Sequence, residues 1–171
     1  MATPTSPIPP ALESGEINKN LETCIGVWNA ITELGGDRKS LLINIGGGVI
    51  TDLGGFVACT FKRGIAYVNV PTTLLSMVDS SVGGKTGINL KAGKNLVGSF
   101  HQPKAVFIDL DVLATLPIRE FSAGMAEVVK YGVILDPDFF QYLEQNATAI
   151  MQRETSCIEH IIVRSCQLKA N

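Results

Sequence analysis

The sequence predicts an α/β fold: a parallel-sheet layer first, then a run of helices. Three observations carry this. Short apolar runs ending in glycine, proline or aspartate alternate with stretches of helical periodicity as far as Leu116, the pattern of strands joined by crossover helices. After Pro117 the strand-like runs stop and only helical patterns remain. Between the two lies a glycine-punctuated segment, Pro71 to Pro103, that fits neither pattern.

In chain order, residues 1–12 open with MATPTSPIPP, proline-rich and free of charged side chains. They lack the apolar run of a secretory signal and the arginines of a transit peptide, and read as a flexible tail. Asn20 to Leu34 places Leu21, Cys24, Ile25, Trp28, Ile31 and Leu34 at helical spacing before the stop Gly35-Gly36. Ser40 to Ile45 reads as a buried strand that ends in Gly46-Gly47-Gly48, and Val49 to Phe61 as a helix. Ala66 to Val70 and Ala105 to Ile108 read as two further strands. Arg119 to Val133, Pro137 to Gln152 and Ser156 to Ala170 read as helices. The expected division is 13–116 for the α/β part and 117–171 for the beginning of the helical part. The few strands, and a last helix that reaches Asn171 with no cap after it, make both ends look cut.

Composition excludes several classes. The 171 residues are 46% apolar and carry a formal net charge of −2, with both signs dispersed. No basic stripe suggests nucleic acid, and no apolar run is long enough to span a bilayer. Cys24, Cys59, Cys157 and Cys166 are far apart and form no CxxC pair, which fits free thiols in a reducing, cytoplasmic compartment.

Chemistry concentrates in two places. A strand, a glycine run and a helix start form an anion site, since free N–H groups and the positive helix end face the turn. Neither standard phosphate motif is met: from Gly46 the third glycine of GxGxxG falls on Thr51, and the opening glycine of a P-loop ending in Gly84-Lys85-Thr86 falls on Asp79. The run is equally compatible with a tight structural turn. Asp52 reads as a first-turn residue that either favours the helix dipole or accepts from a ribose. The segment 71–103 reads as a folded, backbone-rich pocket wall whose leucines, valines and Phe100 need burial. It carries Asp79, Lys85, Lys94, Asn95 and His101. Its lysines suit phosphates or carboxylates, and Asp79 could orient one of them. Glu127 and Lys130 share a helix face; they form a surface ion pair or, if that helix is buried, a ligand or acid–base group. Arg63 is either solvated or an anion contact. His101 and His160 are not at metal-ligand spacing, and His160 fits a helix surface.

At these residues the sequence resembles the 3-dehydroquinate synthase family. The matching segments are SGEINK (14–19), GGGVITDLGGF (46–56), FKRG (61–64), PTTLLSMVDSSVGGKTGIN (71–89), GKNLVGSFHQP (93–103), TLPIREFSAGMAEVVKYG (115–132) and RSCQLKA (164–170). The resemblance implies a Rossmann-like NAD-binding domain followed by the start of an all-helical metal and substrate domain. It also implies NAD and a divalent zinc or cobalt ion as cofactors. The implied reaction converts 3-deoxy-D-arabino-heptulosonate 7-phosphate, a sugar phosphate, to 3-dehydroquinate and phosphate, in a homodimer. Carried over by motif, Glu16, Lys19, Gly47, Gly48, Val49, Asp52, Thr72, Thr73, Asp79, Lys85, Lys94 and Thr115 would hold the cofactor. Lys85, Asn95, Lys130 and Arg63 would face the substrate, Arg63 across a dimer, and Glu127 would be one of three metal ligands.

The sequence departs from the family in lacking the strands before the GExxK element and the two histidines that complete the metal site. The expectation is a central piece with little synthase activity, associating through uncovered apolar faces. The alternatives are a sibling sugar phosphate cyclase or polyol dehydrogenase, which the intact GGKTG and GKN segments oppose, and a non-catalytic NAD-binding or dimerising module.

Overall fold

The computed structural model describes Leu12 and residues 15–170; apart from Leu12, the expected tail lies outside the described residues. Helix α1 (Leu21–Glu33) starts where the Asn20 side chain accepts from the Thr23 N–H at 2.8 Å, a favourable N-cap. Strand β1 (Leu41–Gly46) leads through Gly47 into α2 (Gly48–Thr60). Strand β2 (Ala66–Pro71) follows and pairs in parallel with β1, Leu41 opposite Ala66 through Gly46 opposite Pro71. The crossing helix α2 is buried nearly all round because it packs closely on its neighbours. A Cβ on Gly54 would sit 2.0 Å from the Asn44 side chain, and one on Gly55 2.5 Å from Thr86.

The segment after β2 corrects the sequence reading. It is not irregular: it holds a π-helical turn (Ser76–Ser80) and an antiparallel hairpin of β3 (Lys85–Leu90) and β4 (Gly93–Phe100). Nor are all its apolar residues buried. Leu74, Met77, Val78 and Ile88 are, whereas Leu75, Leu90, Leu96, Val97 and Phe100 lie exposed, Phe100 at 81%. Strand β5 is only Ala105–Val106, shorter than expected, and joins the parallel sheet in the order β1-β2-β5. Strand β1 is half exposed, not buried: Leu41, Ile43 and Ile45 are 53%, 55% and 65% exposed, while Asn44 on the other face bonds Asn69 at 3.0 Å in the interior.

A 3₁₀ turn (Leu110–Thr115) leads through Pro117 to α3 (Ile118–Leu135). The stretch expected as one helix from Pro137 is two, α4 (Pro137–Gln145) and α5 (Ala147–Met151), broken at Asn146; α6 (Thr155–Ala170) closes the described chain. Asp136 caps α4 by accepting from Phe139 N–H at 3.0 Å. The helical core gathers Phe121, Val128, Tyr131, Phe139, Ile150 and Ile161, and Leu74, Met77 and Val78 from the sheet half enter it too. Arg153 pins the junction: its guanidinium donates to Leu113, Ala114 and Leu116 carbonyls and lies 4.9 Å from the Phe121 ring centre. Among the described residues no helix is long and apolar enough to cross a membrane.

Candidate functional site

The glycine turn between β1 and α2 is roofed by the segment that follows β2. A Cβ on Gly47 would stand 3.1 Å from Thr73, and one on Gly48 3.1 Å from the Ser80 hydroxyl oxygen. The turn therefore presents backbone and no side chain, and the first N–H groups of α2 lack intrahelical acceptors. Thr72 donates its N–H to Gly46 O at 2.9 Å and so holds the roof to the turn, while Thr73 shares a hydroxyl bond with Ser76 at 2.9 Å that braces the roof itself.

Asp52 lies beyond the first turn of α2, so the dipole alternative does not hold. Its partner is Lys19, 3% exposed, whose ammonium donates at 2.6 Å to Asp52 Oδ2 and at 2.6 Å to Asn95 Oδ1. Burial pushes the Asp52 carboxyl above its usual range, with Lys19 opposing that shift. One buried cation thus joins the 3₁₀ turn Glu16–Asn18, helix α2 and the hairpin.

These groups border a cleft of about 500 Å³ lined by Asp52, Asp79, Lys85, Asn95, Phe100 and Lys169, among others. Asp79 does not orient Lys85: the Lys169 ammonium bonds both its carboxylate and its main-chain oxygen. Tyr131 O–H adds bonds to Val78 O at 3.3 Å and Asp79 Oδ1 at 3.4 Å. Burial first, then the charges of Asp79 and Glu127, push the Tyr131 hydroxyl upward. Lys169 is the site residue that sequence reasoning missed. It lies ninety positions from Asp79, and only its place in the RSCQLKA segment marked it.

Of the remaining candidates, Glu127 and Lys130 pair with each other on α3. That helix is less buried than expected, with Val129, Val133, Ile134 and Leu135 exposed. Arg63, Lys94 and Thr115 do not line the cleft. Arg63 is exposed, and it and Lys62 have φ of 70° and 51°, a left-handed turn unusual for non-glycine residues. His101 is structural: its ring stacks on Tyr67 at 5.2 Å, its Nε2 lies 3.0 Å from Ile65 O, and its carbonyl accepts the Tyr67 hydroxyl at 2.5 Å. His160 is exposed on α6 with its ring centre 4.1 Å from that of Tyr142.

Among the described residues no group of three or more His, Cys, Asp or Glu side chains is placed to hold an ion, whereas a catalytic zinc takes three protein ligands.

The family model described as 3-dehydroquinate synthase N-terminal matches residues 10–123, and its C-terminal counterpart residues 124–171. The chain is 54% identical over 160 residues to the 3-dehydroquinate synthase of Saccharophagus degradans, covering 94% of this chain and 44% of that protein. It is 55% identical over 161 residues to that of Prochlorococcus marinus subsp. pastoris, covering 93% and 44%. The chain thus spans less than half the length of the curated relatives it matches. Among solved structures, 2-epi-5-epi-valiolone synthase from Streptomyces hygroscopicus, with NAD+ and Zn2+ bound, superposes with a TM-score of 0.88 at 32% identity, covering 92% of this chain and 45% of that one. A 2-deoxy-scyllo-inosose synthase complexed with carbaglucose-6-phosphate, NAD+ and Co2+ gives 0.66 at 39% identity, covering 69% and 32%. The Rossmann-like α/β class expected from the sequence is the class of these neighbours. On the two family models and on 54–55% identity across nearly its whole length, the chain belongs to the 3-dehydroquinate synthase family.

Proposed function

We propose that this chain supplies the NAD-holding part, and one wall of the substrate cleft, of a 3-dehydroquinate synthase. That enzyme is a phosphorus–oxygen lyase turning 3-deoxy-D-arabino-heptulosonate 7-phosphate into 3-dehydroquinate and phosphate on the route to aromatic amino acids. The observation that carries this reading is the convergence on Lys19, where a cofactor-side carboxylate (Asp52) and a substrate-side amide (Asn95) meet one buried ammonium at 2.6 Å each. The family's relatives carry the same name.

The bare glycine turn suits a pyrophosphate, because it puts main-chain N–H groups at the start of a helix, where an anion is favoured, while the close roof of Thr73 and Ser80 leaves little room for a Cβ at Gly47 or Gly48. In this reading Gly47, Gly48 and Val49 hold the pyrophosphate through N–H groups. Thr72, Thr73, Lys94 and Thr115 border the cofactor, and Glu16, Lys19 and Asp52 hold its ribose side. NAD, when bound, supplies a transient hydride acceptor, so that a ring ketone acidifies the neighbouring C–H. Lys85 and Asn95 bind the sugar phosphate, with Lys169 as a further cation held by Asp79. In this reading Lys130 and Arg63 add further cations, Arg63 across a homodimer contact that its exposed position allows. Such fixed cations suit a phosphate leaving group.

Glu127, paired with Lys130 on α3, would be the chain's one ligand to the divalent metal. We take 13–116 as the NAD-binding part and 117–171 as the beginning of the helical domain. The free thiols support a cytoplasmic place, and the dispersed charge gives no support for nucleic acid or membrane partners.

Titration of the 171-residue chain with NAD, then zinc, beside a phosphate-release assay, tests the reading. Saturable NAD binding, weak zinc binding and little turnover are expected. Failure to bind NAD overturns it, and full turnover overturns the metal part.

A further inference from the structure

The hairpin β3–β4 is broken by an irregularity that falls where the two arms of the cleft meet. Ile88 pairs with Val97 and Leu90 with Gly93, so the single Asn89 stands opposite three residues, Lys94, Asn95 and Leu96. Bulges of this kind lift groups out of the ladder and re-aim side chains. The groups lifted at Asn89 and Asn95 find partners elsewhere. Asn89 N–H leaves the hairpin and donates to Lys19 O at 2.7 Å. Asn95 takes a left-handed backbone, φ 54°, which asparagine tolerates better than most residues, and its N–H donates to Asn89 Oδ1 at 2.9 Å. The other end of the same carboxamide donates to Glu16 Oε1 at 2.9 Å and to Glu16 O at 3.4 Å. Asn95 Oδ1 is in turn bound by Lys19, so the links close a ring through Glu16–Lys19, Asn89 and Asn95.

We propose that Asn89 is a positioning residue, whose carboxamide fixes Asn95 in its left-handed turn and ties it to the Glu16–Lys19 arm, holding the cofactor-side and substrate-side groups in one register. The functional meaning of those two sides rests on the reading given above; the tie itself does not. Asn89 has the chemistry for this and its neighbours do not. A carboxamide is donor and acceptor at once, and here the acceptor faces a backbone N–H while the donor faces a carboxylate. Aspartate keeps the first contact and turns the second into like-charge repulsion; alanine loses both.

The test compares Asn89→Ala and Asn89→Asp with the unaltered chain in two measurements: hydrogen exchange of the Asn95 amide, and NAD affinity by titration. Amides of buried α3 residues, such as Val128, report that each variant is folded. Asn89→Ala is expected to speed Asn95 exchange roughly fivefold and to weaken NAD binding about three- to tenfold, the size of one or two ordinary hydrogen bonds. Asn89→Asp is expected to restore Asn95 protection while leaving NAD binding weak, a separation that a general packing role would not produce. Unchanged Asn95 exchange in Asn89→Ala, or equal loss of protection in both variants, overturns the proposal. A chain that binds no NAD counts against the function proposed above and leaves Asn95 exchange to decide the role of Asn89.

Discussion

The helical half and the sheet half are held together by different forces. In the helical half Phe121, Val128, Ile150 and Ile161 are completely or almost completely buried in one apolar cluster. In the sheet half the apolar clusters are smaller, and long-range polar links stand beside them: Asn44 to Asn69, Lys19 to Asp52 and Asn95, and Tyr67 to the His101 carbonyl. Apolar contact is forgiving of direction, whereas a hydrogen bond fixes angle and distance. The sheet half holds its share of the cleft with directional links, and the helical half adds its own where it reaches the cleft, at Lys169 and Tyr131 on Asp79.

The contrast can be broken most sharply at Phe121. Phe121→Ala should cost about 3–5 kcal/mol, read from denaturant unfolding, and also free the Arg153 clamp stacked on that ring. A small loss there would mean the helical half is not organised by apolar packing.

Next in size is Lys19→Met, which leaves Asp52 part-buried without its cation. A loss of about 2–3 kcal/mol is expected from the unpaired charge, together with loss of NAD binding. The unfolding transition should recover as pH is lowered and Asp52 takes up a proton.

The two halves should also answer acid in opposite directions. Asp52 has its carboxyl raised by burial, so its contribution is fullest below the ordinary value of 3.8 and is lost as pH rises through the raised one. Asp136 is lowered by the Phe139 N–H, then by Arg164. Its contribution is present above the ordinary value and lost as pH falls through the lowered one. Thermal unfolding of Asp52→Asn and Asp136→Asn across about pH 3–7 should give difference curves of opposite slope. Parallel slopes would sink the contrast.

Smallest of all should be Ile43→Thr on the open face of β1, within about 0.5 kcal/mol. A larger effect, growing with protein concentration, would show that a second copy covers that face.

Local periodicity made much of the frame legible. Helices α1, α2, α3 and α6 and strands β1 and β2 follow apolar spacing and its punctuation. The hairpin was misread because its glycines were taken as irregularity. Gly87 stands opposite Gly98 in the ladder, and a Cβ on Gly98 would fall 2.0 Å from Thr86 O, so close backbone approach demands them. The break at Asn146 was hidden because the helical pattern continues across it. The half exposure of β1 was hidden too, since apolar content does not say which face has a neighbour. At the site, the resemblance named most groups, but the pairings were out of reach. Lys19 meets Asn95 across 76 positions and Lys169 meets Asp79 across 90, and no local pattern encodes such distances.

The short stretch Leu74–Val78 leaves the sheet half in sequence but is packed in the helical core. Asp79 follows it directly and is held there by Lys169 from α6, while Asp52 rides on α2 against the sheet. The two carboxylates facing the cleft therefore rest on different packing, Asp52 on the sheet and Asp79 at the edge of the helical core. A repacking of the helical core would thus reach the cleft through Asp79, and a change in the sheet layer would reach it through Asp52.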